Sequence, residues 1–258
     1  MKLQQGDLPL LSPPMVEHVT PSVDQPDGLY EMLEPHLAPA RLAPYVAATD
    51  GSRRQAIRLY QWNIRVSGAV YEALHVVEVV LRNAIDAQLC GWNSSQVDPQ
   101  TGKHRDRDWL LDPAPLLRRL VRDHELTKAH QRAERAIRHQ RRPVAHADLL
   151  AQLSFGTWRF LLPDRDPGRQ RLWDDALHVA FPHLDRSPQE LVNSVHGIYQ
   201  LRNRVAHLEP LLRSGMIRTQ FTNMRTVLNE VDPVAEQWFV SNQRVTATLR
   251  GRPATENK

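Results

Sequence analysis

The sequence predicts an all-α helical bundle, and three observations carry that expectation. Between Arg53 and Cys90, the residues Ile57, Tyr60, Ile64, Val70, Leu74, Val77, Leu81, Ile85 and Leu89 recur at three- and four-residue steps, the period of a helix with one buried face. Ser187, Pro188 and Glu190 read as a capping box with proline at the first helical position. No segment shows strand-like alternation, and no internal repeat is present.

Taken in order, residues 1–26 carry Pro13, Pro14, Pro21 and Pro26 with little periodicity and read as a mobile leader. A single domain spans 27–245. Its strongest helix runs from Arg53 to Cys90, with Gly68 as a place where it could kink or split. A polar loop, Gly91 to Pro115, is too long for a simple connector. A basic helix follows over 116–140, then helices over 147–162 and 169–180. The capped helix begins at Pro188. Pro210 disfavours helical geometry at Glu209, so this helix should stop near His207. Helices over 216–231 and 233–245 close the domain, and 246–258 reads as a disordered tail.

Composition narrows the function classes. The chain has 258 residues, with 41% hydrophobic and 24% charged, ordinary for a globular domain. Its lysines are only Lys2, Lys103, Lys128 and Lys258, so the basic charge is nearly all arginine. That suits phosphate recognition and also follows from an arginine-favouring base composition. The lone cysteine, Cys90, excludes an intrachain disulfide and points to a reducing cytoplasm. It sits in an apolar helical run and reads as core filler. No apolar run reaches the roughly 18 residues of a membrane span, and the N-terminus is a poor signal peptide. There is no glycine-rich phosphate loop and no nucleophile elbow, so no cofactor is expected. The best metal-like grouping is His104, Asp106 and Asp108, and it lacks zinc-ligand spacing.

Three constellations could carry chemistry. Residues 202–207 read Arg-Asn-Arg-Val-Ala-His. An arginine fork can hold phosphate, and an imidazole can move protons near neutral pH. Five helical residues give about 7.5 Å of rise and roughly 140° of turn, so Arg202 and His207 do not share a face, whereas Asn203 and His207 do. Loosening of the helix before Pro210 would let His207 swing toward Arg202. A capping histidine beside a salt-bridged arginine fits the same spacing. The second constellation is His75, Glu78, Arg82 and Asp86, at steps of three, four and four. It is either a solvated face with a Glu78–Arg82 pair or a stripe in which Glu78, Arg82 and Asn83 line a cleft with Arg202. The third is 116–142, with nine basic residues against Asp123, Glu125 and Glu134. Arg132, Arg135 and Arg138 mark it as a track for an RNA backbone, or as a solvated face.

Four passages occur in one order. They are Leu-Ala-Pro-Ala-Arg-Leu-Ala-Pro-Tyr-Val with Ala-Ile-Arg-Leu-Tyr-Gln-Trp-Asn inside 37–63, and Val-Glu-Val-Val-Leu-Arg-Asn-Ala at 77–84. Leu-Ser-Phe-Gly-Thr-Trp at 153–158 and Leu-Arg-Asn-Arg-Val-Ala-His at 201–207 follow. Over roughly residues 35–240 this order resembles the Abi-like (abortive infection) family of the HEPN superfamily. The resemblance implies a HEPN-like helical bundle with additional helices, and a metal-independent endoribonuclease acting as a toxin or anti-phage effector. Arg202, Asn203 and His207 match the family's Arg-x4–6-His motif, and Glu78, Arg82 and Asn83 its Glu-x3-Arg-Asn element. The usual Leu-Ser before the first arginine is Leu37-Ala38 here. The resemblance also implies an RNA substrate, a homodimer with the motif helices near its interface, and an antitoxin RNA or protein as a possible restraint. A non-catalytic RNA- or protein-binding module with the same charge map is the competing expectation.

Overall fold

The computed structural model describes residues 33–254. The leader expected over 1–26 lies outside them. Among the described residues the architecture is all-α, with eleven α-helices and no β-strand. One isolated bridge pairs Val97 with His104. Among the described residues no helix is long and apolar enough to cross a membrane.

The organising element is α2, Arg53–Ser95, which follows the short α1, Pro39–Ala47. Its 43 residues span about 65 Å. Ser52 caps it by accepting the Gln55 N–H. Gly68 does not divide it. The apolar stripe read from the sequence is buried along most of its length, from Ile57 to Leu89. Ile64 is the exception and faces solvent. The helix continues past Cys90 because Asn93, fully buried, anchors the following loop. Its amide donates to the Asp106 and Asp112 carbonyls at 2.7 and 2.9 Å and accepts the Ala114 N–H at 2.8 Å. The polar loop is thereby ordered, and it delivers Trp109 into the core.

The expected basic helix is two helices, α3 (Pro115–Val121) and α4 (Asp123–Ile137). Arg122 between them takes φ 72°, a left-handed conformation that ends the ladder. The stretch 147–162 likewise divides into α5 (His146–Leu150) and α6 (Phe155–Leu161), because Ser154 is extended and turns Phe155 and Trp158 into the core. Residues 169–180 form α7 (Pro167–Asp175), capped by Asp166, and then a 3-10 turn at Leu177–Ala180.

The capping box holds as expected. Ser187 and Glu190 exchange their bonds at the start of α8, Pro188–Ala206, whose C-cap is His207. α9 (Ser214–Val231) and α10 (Pro233–Asn242) follow. The expected tail needs correction, because Val245–Arg250 form α11. Val245 and Leu249 are buried, and the Trp62 indole donates to the Thr248 carbonyl at 2.9 Å. Helices α1, α6, α8, α9, α10 and α11 all pack on α2, so α2 is the spine against which the end of α8 is placed.

Candidate functional site at the end of helix α8

The closing turn of α8 is built by local hydrogen bonding. Leu208 N–H donates to the Val205 carbonyl at 3.0 Å, and Glu209 N–H to the Arg204 carbonyl at 2.8 Å. This is the Schellman arrangement, which places the residue after the C-cap in the left-handed region. That residue is usually glycine, and here it is Leu208 at φ 56°. Two distant residues hold the turn. Arg41 of α1 donates to the Leu208 carbonyl, and Asn63 of α2 accepts the Leu211 N–H at 2.6 Å. Both belong to the first of the four quoted passages, so the beginning of the domain fixes the end of the motif.

The helix does not loosen ahead of His207. The His207 N–H still bonds the Asn203 carbonyl at 2.9 Å, and the backbone departs from helix only at Leu208. Arg202 and His207 therefore remain on different faces of one chain. His207 is exposed, and Arg202 and Asn203 are half-buried.

Glu78 of α2 is brought to Arg202. Burial pushes the Glu78 carboxyl above its usual range. The charges of Arg202, Arg82 and His75 and the backbone N–H of Phe155 all favour the carboxylate, and burial still outweighs them. The carboxylate thus stands at the start of α6 with the Arg202 charge acting on it. The Glu78–Arg82 pair expected from spacing does not close into a contact ion pair. Arg82 instead donates from Nε to the Asn83 side chain at 3.3 Å. Asp86, the last member of the stripe, turns elsewhere. Its Oδ1 accepts the Trp109 indole N–H at 2.8 Å and lies 2.9 Å from His146 Nε2.

A cavity of about 330 Å³ lies between α3, α6 and α8, and its lining includes none of Glu78, Arg82, Arg202, Asn203 or His207. Arg122, Glu125, Ser154, Thr157, Arg169 and Tyr199 line it. Ser154 flanks the Phe155 amide, and Tyr199 lies one turn before Arg202 and Asn203 on α8. A larger cavity, about 840 Å³, lies between α1 and α2. It is mostly apolar, and Arg53 is the one charged residue among its described lining residues.

A second histidine on α8 was missed in the sequence. His196, Gln200, Asn203 and His207 are spaced by four, three and four, one face of a helix. Arg159 donates from Nε to His196 Nδ1 at 3.1 Å. Burial, and then the Arg159 charge, push the imidazole pKa down.

The basic track is thinner than its charge count. Arg118 pairs with Asp123, Arg119 with Asp166, Lys128 with Glu125 and Arg142 with Asp148. Arg135 and Arg138 have no such partner among the described residues, and Arg132 only donates to the Lys128 carbonyl at 3.3 Å. All three are exposed, opposite the buried Ala129, Ala133 and Ile137 of α4. The metal-like grouping does not assemble. His104 Nδ1 faces the Ser94 carbonyl, and Asp106 Oδ1 accepts the Asp108 amide.

Comparisons with protein-family models, curated proteins and solved structures find no match to this chain.

Proposed function

We propose that the chain is a metal-independent endoribonuclease of the HEPN type, an Abi-like toxin or anti-phage effector. The observation that carries this reading is the junction of α2 and α8. Separate elements, far apart in sequence, bring Glu78 within reach of the Arg202 charge, while His207 ends the same helix exposed to solvent. In the proposed reaction a ribose 2′-OH attacks the adjacent phosphate and leaves a cyclic phosphate and a 5′-OH. His207 acts as general base or acid. Arg202 holds the phosphate and stabilises its developing charge. Asn203 orients the ring or the phosphate, and Glu78, Arg82 and Asn83 keep Arg202 in place. Arg132, Arg135 and Arg138 track the RNA backbone.

The wound helix favours a site shared between two copies. Within one chain Arg202 and His207 diverge by roughly 140°. A homodimer with the α8 ends side by side would offer each phosphate an arginine from one copy and a histidine from the other. Sedimentation near twice 29.6 kDa would support that arrangement.

The same divergence also fits a module that grips RNA or a protein partner, such as an antitoxin, without cutting. Purified protein incubated with total RNA, with and without EDTA, separates the two. Cyclic-phosphate ends that persist in EDTA and vanish in His207→Ala support the nuclease. Binding without new ends refutes it and leaves the binding module.

A further inference from the structure

A second polar cluster lies further along α2, outside the site described above. Asp86 and Cys90 are one turn apart on α2, and His146 begins α5. One ligand atom from each lies within 4.8 Å of the other two. Cys90 Sγ is 3.9 Å from His146 Nε2 and 4.0 Å from Asp86 Oδ2, and Nε2 is 2.9 Å from Asp86 Oδ1. We propose that Asp86, Cys90 and His146 form a binding site for a zinc-class divalent cation, with thiolate, imidazole and carboxylate as ligands.

The geometry separates this from a nucleophile chain. In a relay, the two ring nitrogens of the histidine face different partners. Here the same atom, Nε2, faces both the thiol and the carboxylate, so the three groups converge on one point. Zinc bonds of about 2.0–2.3 Å at tetrahedral angles put ligand atoms about 3.3–3.7 Å apart. Small side-chain rotations bring the observed separations to those values. Nε2 donates to Asp86 Oδ1, and the other ring nitrogen, His146 Nδ1, is buried without a partner, so the proton can move to Nδ1 and free the Nε2 lone pair for an ion. Cys90 is too buried, at 8% exposed, to meet a macromolecular substrate. Trp109 orients the carboxylate through its 2.8 Å bond to Oδ1, which leaves Oδ2 toward the thiol.

Without metal the thiol is protonated, because burial and then the Asp86 charge push its pKa up to about 11. A thiolate ligand must give up its proton to solvent when the cation binds, so affinity should rise with pH. The ion would join α5 to α2. Since α4 packs on α3 and α5, it would clamp the arginine-bearing helix to the spine.

The test titrates the chelator-stripped full chain with Co²⁺ and then Zn²⁺. One ion per chain is expected, with a thiolate-to-cobalt charge-transfer band that Zn²⁺ bleaches and a thermal midpoint that rises with Zn²⁺. Cys90→Ser should lose the band, and His146→Ala should lose stoichiometric binding, both with unchanged far-ultraviolet dichroism. Cys90→Ser is the safeguard should His146→Ala fail to fold. No band in the wild type, or full-affinity binding by Cys90→Ser, overturns the proposal.

Discussion

Helix α2 carries two polar junctions two turns apart, and they are built on opposite terms. At the Asp86 junction the carboxylate is answered within the chain by Trp109 and His146. At the Glu78 junction it is not. Burial outweighs every favourable partner of Glu78, Arg202 closes no contact ion pair among the described residues, and His207 stands exposed. Satisfied networks rigidify a fold. Carboxyls whose titration is perturbed beside a specific charge partner are candidates for function. The contrast yields a rule: changes at the Asp86 junction should cost stability, and changes at the Arg202–His207 end should cost activity.

The largest effect expected under this rule is His207→Ala. Loss of a general acid or base slows reaction by about 10²–10⁴-fold, and an exposed C-cap side chain without a partner should leave the melting temperature unchanged. Arg202→Lys comes next, since lysine keeps the charge and loses the planar fork. Cleavage assays on both variants check this. A wild-type rate in either one would return the α8 end to a structural role.

At the other junction, Asp86→Ala strands the Trp109 N–H and the His146 imidazole. Leaving buried donors unanswered costs about 1–3 kcal/mol, readable by urea unfolding, with RNA cleavage per folded molecule unchanged. A stability loss at Arg202 equal to that at Asp86 would erase the distinction.

Glu78→Gln probes the balance directly. The folded carboxyl holds its proton more tightly than the unfolded one, so ionising it costs stability. That cost is absent below the unfolded value, appears as pH rises through it, and is complete above the raised folded value. The glutamine variant should therefore melt higher than wild type at pH 7, and the two should converge near about pH 4. Calorimetry at both pH values decides it, and a lower melting temperature at pH 7 would show that Arg202 outweighs burial.

The sequence was informative where local rules decide structure. The stripe from Ile57 to Leu89, the Ser187–Glu190 box and the stop at His207 are all local signals. The break at Arg122 was not legible, because an arginine with positive φ leaves no glycine or proline to announce it. Nor was the tail legible as a helix, since Thr248 is held by Trp62, 186 residues away. At the site, His207 and Arg202 were readable from spacing. Arg41 and Asn63, which hold the turn behind them, act across 167 and 148 residues. Asp86 was placed in the wrong stripe because its partners, Trp109 and His146, arrive from a loop and a short helix with no period of their own.

A smaller effect is expected from neutralising Arg132, Arg135 and Arg138 together. If each contacts a phosphate, the log–log salt dependence of RNA binding should flatten by about 0.7 per residue. An unchanged slope in fluorescence anisotropy would make α4 a solvated face.

The smallest expected effect sharpens the comparison at its most local point, Leu208. A leucine in the left-handed region carries about 1–2 kcal/mol of strain, and this one is 66% exposed, so its side chain returns little burial. Glycine removes the strain and adds backbone entropy to the unfolded chain, about 0.5–1 kcal/mol in the other direction. The net gain for Leu208→Gly should be below about 1 kcal/mol, a rise of a few degrees or less in melting temperature. The strain sits beside His207 and is held by Arg41 through the Leu208 carbonyl. If it serves to aim the imidazole, the more stable variant should cleave RNA more slowly, with its KM for RNA unchanged and its kcat reduced. If Leu208→Gly gains stability and keeps full kcat, the strained turn is only a tolerated cost of ending α8. A loss of stability would mean that the exposed leucine is covered, and a second copy of the chain would be the cover to seek by sedimentation.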